Sequence, residues 1–355
     1  MCSGSGHKTD DIRIYLDMSK KLKIAVVGAT GAVGEAMLSI LAEFGFADAD
    51  VHALASEKSL GKRLDFGHRK LPVEVLDDYD FNGTDFALFS AGAGISLQHA
   101  PRAAKAGCTV IDNTSAFRLD DEIPLVVPEI NGDLLENLPA GSIIANPNCS
   151  TIQMLIAVAP IHAIAGIDRI NVATYQSVSG AGSEGMEELA RQTADRLSFK
   201  QVKPSVFAQP IAFNCLPVID TMQDNDYTRE EMKLHWETRK IMRDDSIGVN
   251  ATAVRVPVFF GHSEAVHLET ARDVSMQQVR EAMHKAPGLV LIDDTAAGAQ
   301  ATAVTHAAGK DETFVSRLRR DYTHPRGINM WVVSDNVRKG AALNAVQILK
   351  MMVAG

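Results

Sequence analysis

Leu22-Lys-Ile-Ala-Val-Val27, Gly28-Ala-Thr-Gly31-Ala-Val-Gly34 and Glu35-Ala-Met-Leu-Ser-Ile-Leu-Ala-Glu43 stand in direct succession. The first run is apolar enough for a buried strand, the second is a glycine turn, and the third reads as a helix. Glycines at this spacing let the chain turn tightly and bring backbone close to a ligand. The helix that follows aims its free N–H groups back at the turn. Between a strand and a helix near the start of a domain, G-x-x-G-x-x-G predicts a dinucleotide-binding unit with the pyrophosphate on the helix N-terminus. Gly28, Thr30, Gly31, Ala32, Val33 and Gly34 are its candidate contacts. A plain tight turn is the simpler use of the same residues.

The next strand, Asp50-Val-His-Ala-Leu-Ala55, should end near the adenine ribose, where an NAD site usually carries an acid. Here it runs into Ser56-Glu-Lys58-Ser59-Leu-Gly61-Lys62-Arg63, whose hydroxyls and cations suit a 2′-phosphate. NADP is therefore expected, with Lys58 and Ser59 as contacts, although Glu57 in the same loop runs against it. Phe86-Ala-Leu-Phe-Ser90 reads as a strand ending at Ala91-Gly-Ala-Gly94, Pro101–Ala106 as a helix capped by Gly107, and Thr109-Val-Ile-Asp112 as the next strand. This alternation predicts a doubly wound parallel sheet, with ligands at the carboxyl ends of its strands. Gly28–Gly34, Ser90–Ser96 and Asn113-Thr-Ser-Ala-Phe-Arg118 then share one rim, and Arg118 can reach an anion there or join a surface ion pair.

Ala145-Asn-Pro-Asn-Cys-Ser-Thr151 places Cys149 at a turn leading into the apolar helix Ile152–Ala159. Asn146 and Asn148 supply amides, Pro147 pre-sets the turn, and the turn should leave the sulfur exposed. The helix N-terminus is expected to lower the thiol pKa and make Cys149 a nucleophile; the alternative is a small buried apolar residue. Beyond it, Ile170–Val178 alternates as a strand ahead of a glycine turn at Ser179-Gly180-Ala-Gly182. Thr228–Asp244 reads as a charged helix capped by Thr228, and Ala251–Val258, His262–Glu269 and Gly327–Val333 as strands. Asn336–Met352 closes the chain as a helix. Runs of strands in this half predict a second, sheet-rich domain.

At 355 residues, 46% hydrophobic and with a formal charge of −9, the chain reads as a mildly acidic globular protein of two domains. No basic, aromatic-interleaved patch points to nucleic acid. The longest apolar run, around 152–167, is broken by Gln153, Pro160 and His162 and falls short of a membrane span. Residues 1–20 are polar, lack the apolar core of a signal peptide and read as a disordered extension. Cys2, Cys108, Cys149 and Cys215 are irregularly spaced, which excludes a C-x-x-C metal or redox pair and fits a reducing cytoplasm. Cys108 and Cys215 read as core.

The chain resembles the aspartate-semialdehyde dehydrogenases from about Lys21 to its C-terminus. The resemblance rests on Gly28–Gly34, Asn113–Arg118, Asn146-Pro-Asn-Cys-Ser-Thr151, Gln176-Ser-Val-Ser-Gly-Ala-Gly182, Glu230-Glu-Met-Lys233, Arg255-Val-Pro-Val-Phe-Phe-Gly-His-Ser-Glu-Ala-Val266 and Ser334-Asp-Asn-Val-Arg-Lys-Gly-Ala-Ala342. It implies an α/β fold: a Rossmann-type NADP-binding domain at 21–149, an α+β catalytic and dimerisation domain at 150–333, and a C-terminal helix at 334–355 returning to the first. It also implies reversible, NADPH-dependent reduction of L-aspartyl 4-phosphate to L-aspartate 4-semialdehyde, by a homodimer, in lysine, threonine and methionine biosynthesis. Cys149 would form the thiohemiacetal and thioester, His262 would be the acid/base, and Gln176 would orient the substrate. Arg255 would clamp the α-carboxylate, Glu230 would balance the ammonium, and Arg118, Lys233 and Asn148 would bind phosphate or the acyl phosphate. Ser179, Gly180 and Asn336 would contact the cofactor. No metal is implied.

Plainer readings compete. Glu230 and Lys233 at i, i+3 can form an ordinary helix-surface pair. Strand alternation sets His262 and Glu264 on one face and His267 on the other. N-acetyl-γ-glutamyl-phosphate reductases share the chemistry but typically read Asn-Pro-Gly-Cys-Tyr at the nucleophile. Glyceraldehyde-phosphate dehydrogenases would show Ser-Cys-Thr-Thr. A non-catalytic NADP-binding paralogue would first lose the thiol or the histidine, and both are present.

Overall fold

Two sheets share the chain in a computed structural model that describes residues 21–296 and 298–354. The expected extension at 1–20 lies outside the described residues. The first sheet holds β1 (Lys23–Val27), β2 (Asp50–Ala55), β3 (Arg63–Phe66), β4 (Arg69–Val75), β5 (Phe86–Phe89), β6 (Thr109–Asp112) and β7 (Ile143–Ala145), in the order β3-β4-β2-β1-β5-β6-β7. All its pairings are parallel except β3 with β4. β1 is buried from Ile24 to Val27 and passes through the glycine turn into α1 (Ala32–Leu41), as the opening stretch predicts. β3 and β4 form a hairpin that the loop reading of Lys58–Arg63 did not anticipate. Its signal is Gly67, whose φ of 55° makes the two-residue Gly67-His68 turn. α2 (Ala93–Lys105) begins well before Pro101, so Gly94 lies in its first turn and not in a loop.

The second sheet runs β11-β12-β13-β10-β8-β9, from β8 (Ile167–Gln176), β9 (Gly248–Arg255), β10 (His262–Thr270), β11 (Leu289–Ile292), β12 (Thr313–Arg320) and β13 (Gly327–Ser334). After a short α3 (Pro128–Asn131), α4 (Cys149–Ala165) passes between the two sheets. It has no polar face because it needs none. Ile152, Met154, Leu155 and Val158 join Val27, Phe89 and Val110 of the first sheet and Val266 and Val332 of the second in one core. α5 (Gly182–Leu197) starts at Gly182, so the glycine turn is only the short 178–181 segment before it. α6 (Arg229–Met242) carries the expected Thr228 cap, completed as a capping box by Glu231. α7 (Met276–Lys285) is capped by Ser275 and Gln278.

The chain ends in a wide helical turn at Arg338–Ala342 and α8 (Leu343–Ala354). Leu343, Val346, Ile348 and Leu349 pack with Ile24, Val26, Leu38 and Ile144, so the C-terminal helix does return to the first sheet. Cys108 is buried, but Cys215 is exposed: its apolar neighbours belong to the long irregular segment between α5 and α6, not to a strand. Among the described residues no helix is long and apolar enough to cross a membrane.

Candidate active site

Cys149 is the first residue of α4, and Asn148 is its N-cap. The Asn148 Oδ1 accepts from the backbone N–H groups of Ser150 (3.0 Å) and Thr151 (3.4 Å). The capping side chain also reaches outward, because its Nδ2 donates to Glu230 Oε1 at 3.0 Å. Gln176, the last residue of β8, donates from Nε2 to Ser150 Oγ (2.8 Å) and to the same Glu230 oxygen (3.1 Å). Glu230 Oε2 takes Lys233 Nζ at 2.8 Å, and Lys233 also reaches Asp220 at 2.9 Å. Glu230 is buried, so the surface-pair reading of Glu230 and Lys233 fails: one end of the pair lies in the floor of the site. Burial alone would raise the Glu230 pKa; Lys233, Asn148 and Gln176 reverse this and hold it at about 2.

Arg118 is buried as well, and it does not form a surface pair. Its Nη1 donates to Glu237 Oε1 at 3.0 Å and its Nη2 to the Asn113 carbonyl at 3.0 Å, while Nε has no protein partner. The second Glu237 oxygen accepts the Asn148 N–H at 2.7 Å. Glu237, absent from the sequence reading, thus ties the anion-binding candidate Arg118 to the loop carrying Cys149. Its signal was its place on α6, two turns beyond Glu230 and on the same face. Asn146 donates to Asn113 Oδ1 at 2.5 Å and accepts from Asn344 Nδ2 of α8 at 2.6 Å. The closing helix thereby anchors the same loop.

Opposite stand Arg255, at the end of β9, and His262, at the start of β10. Arg255 Nη1 donates to the Ser177 carbonyl at 2.8 Å. The Ser177 backbone N–H donates to His262 Nδ1 at 3.1 Å. An Nδ1 that accepts leaves the ring hydrogen on Nε2, which is buried and has no protein partner. Burial and the nearby Arg255 charge lower the His262 pKa to about 3, so the ring is neutral at physiological pH. The ring therefore offers a donor at Nε2 and no free lone pair. Gly180 lies between the two: a Cβ there would stand 2.8 Å from Arg255 Nη1 and 3.5 Å from His262 Nε2. Ser179 and Asn336 are joined to each other, and Asn336 Oδ1 also accepts from Ser177 Oγ and Gly261 N. His267 lies on the other face, against Asp321 at 3.1 Å.

Cys149 corrects one expectation. The residue is only half-buried, yet its sulfur lies deep enough among protein atoms that burial pushes the thiol up to about 12, with the Glu230 carboxylate adding to it. Arg118 and Arg255 pull the other way and lose. The helix N-terminus is present, as expected, but a half charge at its end does not outweigh desolvation and a full negative charge. Alkylation of Cys149 by iodoacetamide, followed on its peptide by mass spectrometry, should therefore rise steadily from pH 7 to beyond pH 9. A rate already at plateau near neutrality would mean a resident thiolate and contradict this balance.

The glycine turn forms the second part of the site. A Cβ on Gly28 would lie 2.8 Å from the Ser90 backbone, and one on Gly34 would collide with the Gly28 carbonyl. Gly31 caps α1 with no side-chain hydrogen bond, so the first-turn N–H groups of Ala32, Val33 and Gly34 have no capping side chain. Ser59 is buried with its Oγ 3.4 Å from Thr30 Oγ1, whereas Lys58 is exposed. Free helix N–H groups behind a turn without side chains suit a pyrophosphate, so these residues fit a dinucleotide.

Comparison with known proteins agrees. Residues 23–138 match the semialdehyde dehydrogenase NAD-binding domain and residues 158–339 the semialdehyde dehydrogenase dimerisation domain. The aspartate-semialdehyde dehydrogenase of Legionella pneumophila is 52% identical over 335 residues, covering 94% of this chain and 96% of that protein. The chain belongs to the aspartate-semialdehyde dehydrogenase family. Aspartate-semialdehyde dehydrogenase 2 of Vibrio cholerae is also 52% identical, over 95% of this chain and 99% of its own. The crystal structure of the Vibrio cholerae aspartate semialdehyde dehydrogenase II complexed with ASA superposes with a TM-score of 0.91 at 51% identity, covering 94% and 99% of the two chains. The family's two domain matches correspond to the two sheets, and the Cys149 turn falls between them.

Proposed function

We propose that this protein reduces L-aspartyl 4-phosphate to L-aspartate 4-semialdehyde with NADPH, reversibly, in the cytoplasm and as a homodimer. The observation that carries the reading is the single hydrogen-bonded set in which Asn148, Gln176, Glu230 and Lys233 surround the start of α4 at Cys149. Membership of the family supports the substrate; the arginine-pathway and non-catalytic alternatives have no observation in their favour. The division at 21–149, 150–333 and 334–355 remains part of this proposal.

The roles follow from position and charge. Arg255 has one nitrogen engaged by Ser177 and the rest of its fork available for the α-carboxylate. Glu230 offers its carboxylate to the α-ammonium. Arg118 and Lys233 supply positive charge for the phosphoryl group, beside the Asn148 amide. The Cys149 sulfur attacks the acyl carbon, the C–O bond to phosphate breaks, and the thiol proton leaves with the phosphate. A thioester on Cys149 remains. His262 Nε2–H donates to the carbonyl oxygen, where negative charge develops at each addition. Gln176 holds the substrate beside the sulfur. Gly28–Gly34 would cradle the dinucleotide, with Lys58 and Ser59 at its ribose phosphate and Ser179, Gly180 and Asn336 around its reactive end; when bound, NADPH would supply hydride and NADP would accept it.

The test is NADPH formation from L-aspartate 4-semialdehyde, with and without phosphate and with NAD and N-acetyl-glutamate semialdehyde as comparisons. Strict dependence on phosphate, NADP and the free amine is expected. Activity only on the acetylated aldehyde would move the chain to the arginine pathway, and no activity on either would favour a silent NADP-binding paralogue.

A further inference from the structure

Of the five buried glutamates among the described residues, four accept hydrogen bonds from identifiable donors. Glu188 takes Gln192 and the amides of Ser205 and Val206; Glu230 takes Lys233, Asn148 and Gln176; Glu231 takes the amides of Thr228 and Ala253; Glu237 takes Arg118 and the Asn148 amide. Glu264 takes none. It has no solvent exposure, and neither carboxyl oxygen has a partner. Leaving a carboxylate in such a place costs several kcal/mol, so a group of this kind is neutralised instead.

Its neighbours share its condition. Gln153 is 1% exposed and neither of its amide atoms has a partner; the Thr174 hydroxyl is equally buried and unpartnered. Thr174 is the cross-strand partner of Glu264, and Gln153 lies near enough for its amide N–H to act on the Glu264 carboxyl, pulling its pKa down against burial, without closing a hydrogen bond of normal geometry. No cation acts on that carboxyl, and burial drives its pKa well above the ordinary value.

The three residues repeat the layer above them. Gln153 follows Cys149 by one turn of α4, on the same helix face. Glu264 follows His262 by one pleat of β10, and Thr174 precedes Gln176 by one pleat of β8, each on the same strand face. Nucleophile, donor and substrate-orienting amide thus stand on a second polar layer from the same three elements.

We infer that Glu264 is held as a neutral acid, donating its carboxyl hydrogen to the Gln153 amide oxygen beside the Thr174 hydroxyl. This layer sets the spacing between α4 and the β8–β10 pair, and so between Cys149 and His262. Glu264 is a positioning residue: it touches no substrate and moves no proton in the reaction. The inference rests on the proposed roles of Cys149, His262 and Gln176, but the protonation state can be tested without them.

Infrared difference spectroscopy of the full-length protein against Glu264→Gln should show the carbonyl stretch of a protonated carboxyl, unchanged from pH 6 to pH 9. A carboxylate band in its place overturns the inference whatever the enzyme's activity. In steady-state assays, Glu264→Gln, which keeps a neutral hydrogen-bonding group of the same shape, should retain kcat within a small factor. Glu264→Leu should lower kcat by up to about 100-fold with KM little changed, as expected when reacting groups are displaced by a fraction of an ångström. Loss of kcat in the Gln variant equal to that in the Leu variant would show that the charge or proton is needed, and wild-type kcat in the Leu variant would show that the layer positions nothing. Should the Leu variant fail to fold, the infrared band and the Gln variant still decide. If the wild type shows the band but no turnover of the semialdehyde, the proposed reaction falls and the neutral acid stands.

Discussion

Cys149→Ala should abolish phosphate-dependent oxidation of L-aspartate 4-semialdehyde while leaving NADP binding unchanged. Without the sulfur there is no thioester, and nothing else in the site can replace it: Gln176 and Asn148 are amides, Lys233 is held by Glu230 and Asp220, and His262 presents a hydrogen instead of a lone pair. Losses on removing an essential nucleophile reach about four to six orders of magnitude. The binding side of the prediction follows from distance in the fold. The glycine turn and the N-terminus of α1 lie at the end of β1 in the first sheet, and the cap of α4 depends on Asn148, not on the cysteine. Initial rates and NADPH fluorescence titration check both halves. Retention of more than about 1% of the wild-type rate would rule out the thioester route.

How much of this could be read in advance depends on how local each signal is. The βα unit at 23–41 is local: strand, turn and helix are adjacent, and burial in the structure follows the apolar pattern. The α6 cap is local for the same reason. The protonation state of Cys149 is not. Its helix N-terminus is visible in the sequence, but the carboxylate that opposes it is on Glu230, brought in from a helix 82 residues beyond Asn148. The convergence of Arg118, Gln176, Glu230, Arg255 and His262 came from family resemblance, because no periodicity links positions on a loop and four separate elements. Glu237 was missed although it shares a helix face with Glu230. In a stretch as charged as Arg229–Met242, a buried acid looks like a surface one until its cation, Arg118, is seen against it. Cys215 was misjudged for the converse reason: apolar neighbours suggest burial only where regular structure gives them a face to bury.

Glu237→Ala should be the most damaging substitution outside the reacting groups, lowering the free energy of unfolding by about 3–5 kcal/mol. The carboxylate is 1% exposed and joins two otherwise separate parts, Arg118 from the rim of the first sheet and the Asn148 amide at the start of α4. Removing it leaves a guanidinium buried with only the Asn113 carbonyl as partner, its Nε already unpartnered, and a backbone N–H stranded beside it. Breaking one side of a buried pair in this way costs far more than the pair itself contributes. Glu237→Gln, which can still accept from one of the two donors, should recover part of the loss. A second effect separates this account from simple cavity formation. With its counter-charge gone, Arg118 acts more strongly on the Cys149 sulfur, on which it already exerts a lowering influence. The Ala variant should therefore alkylate faster at neutral pH than the wild type while being less stable, whereas a cavity alone would change stability only. Chemical denaturation and the alkylation rate of the Cys149 peptide measure the two effects. A stability within about 1 kcal/mol of wild type would show that the Arg118–Glu237 pair does not hold the nucleophile loop in place.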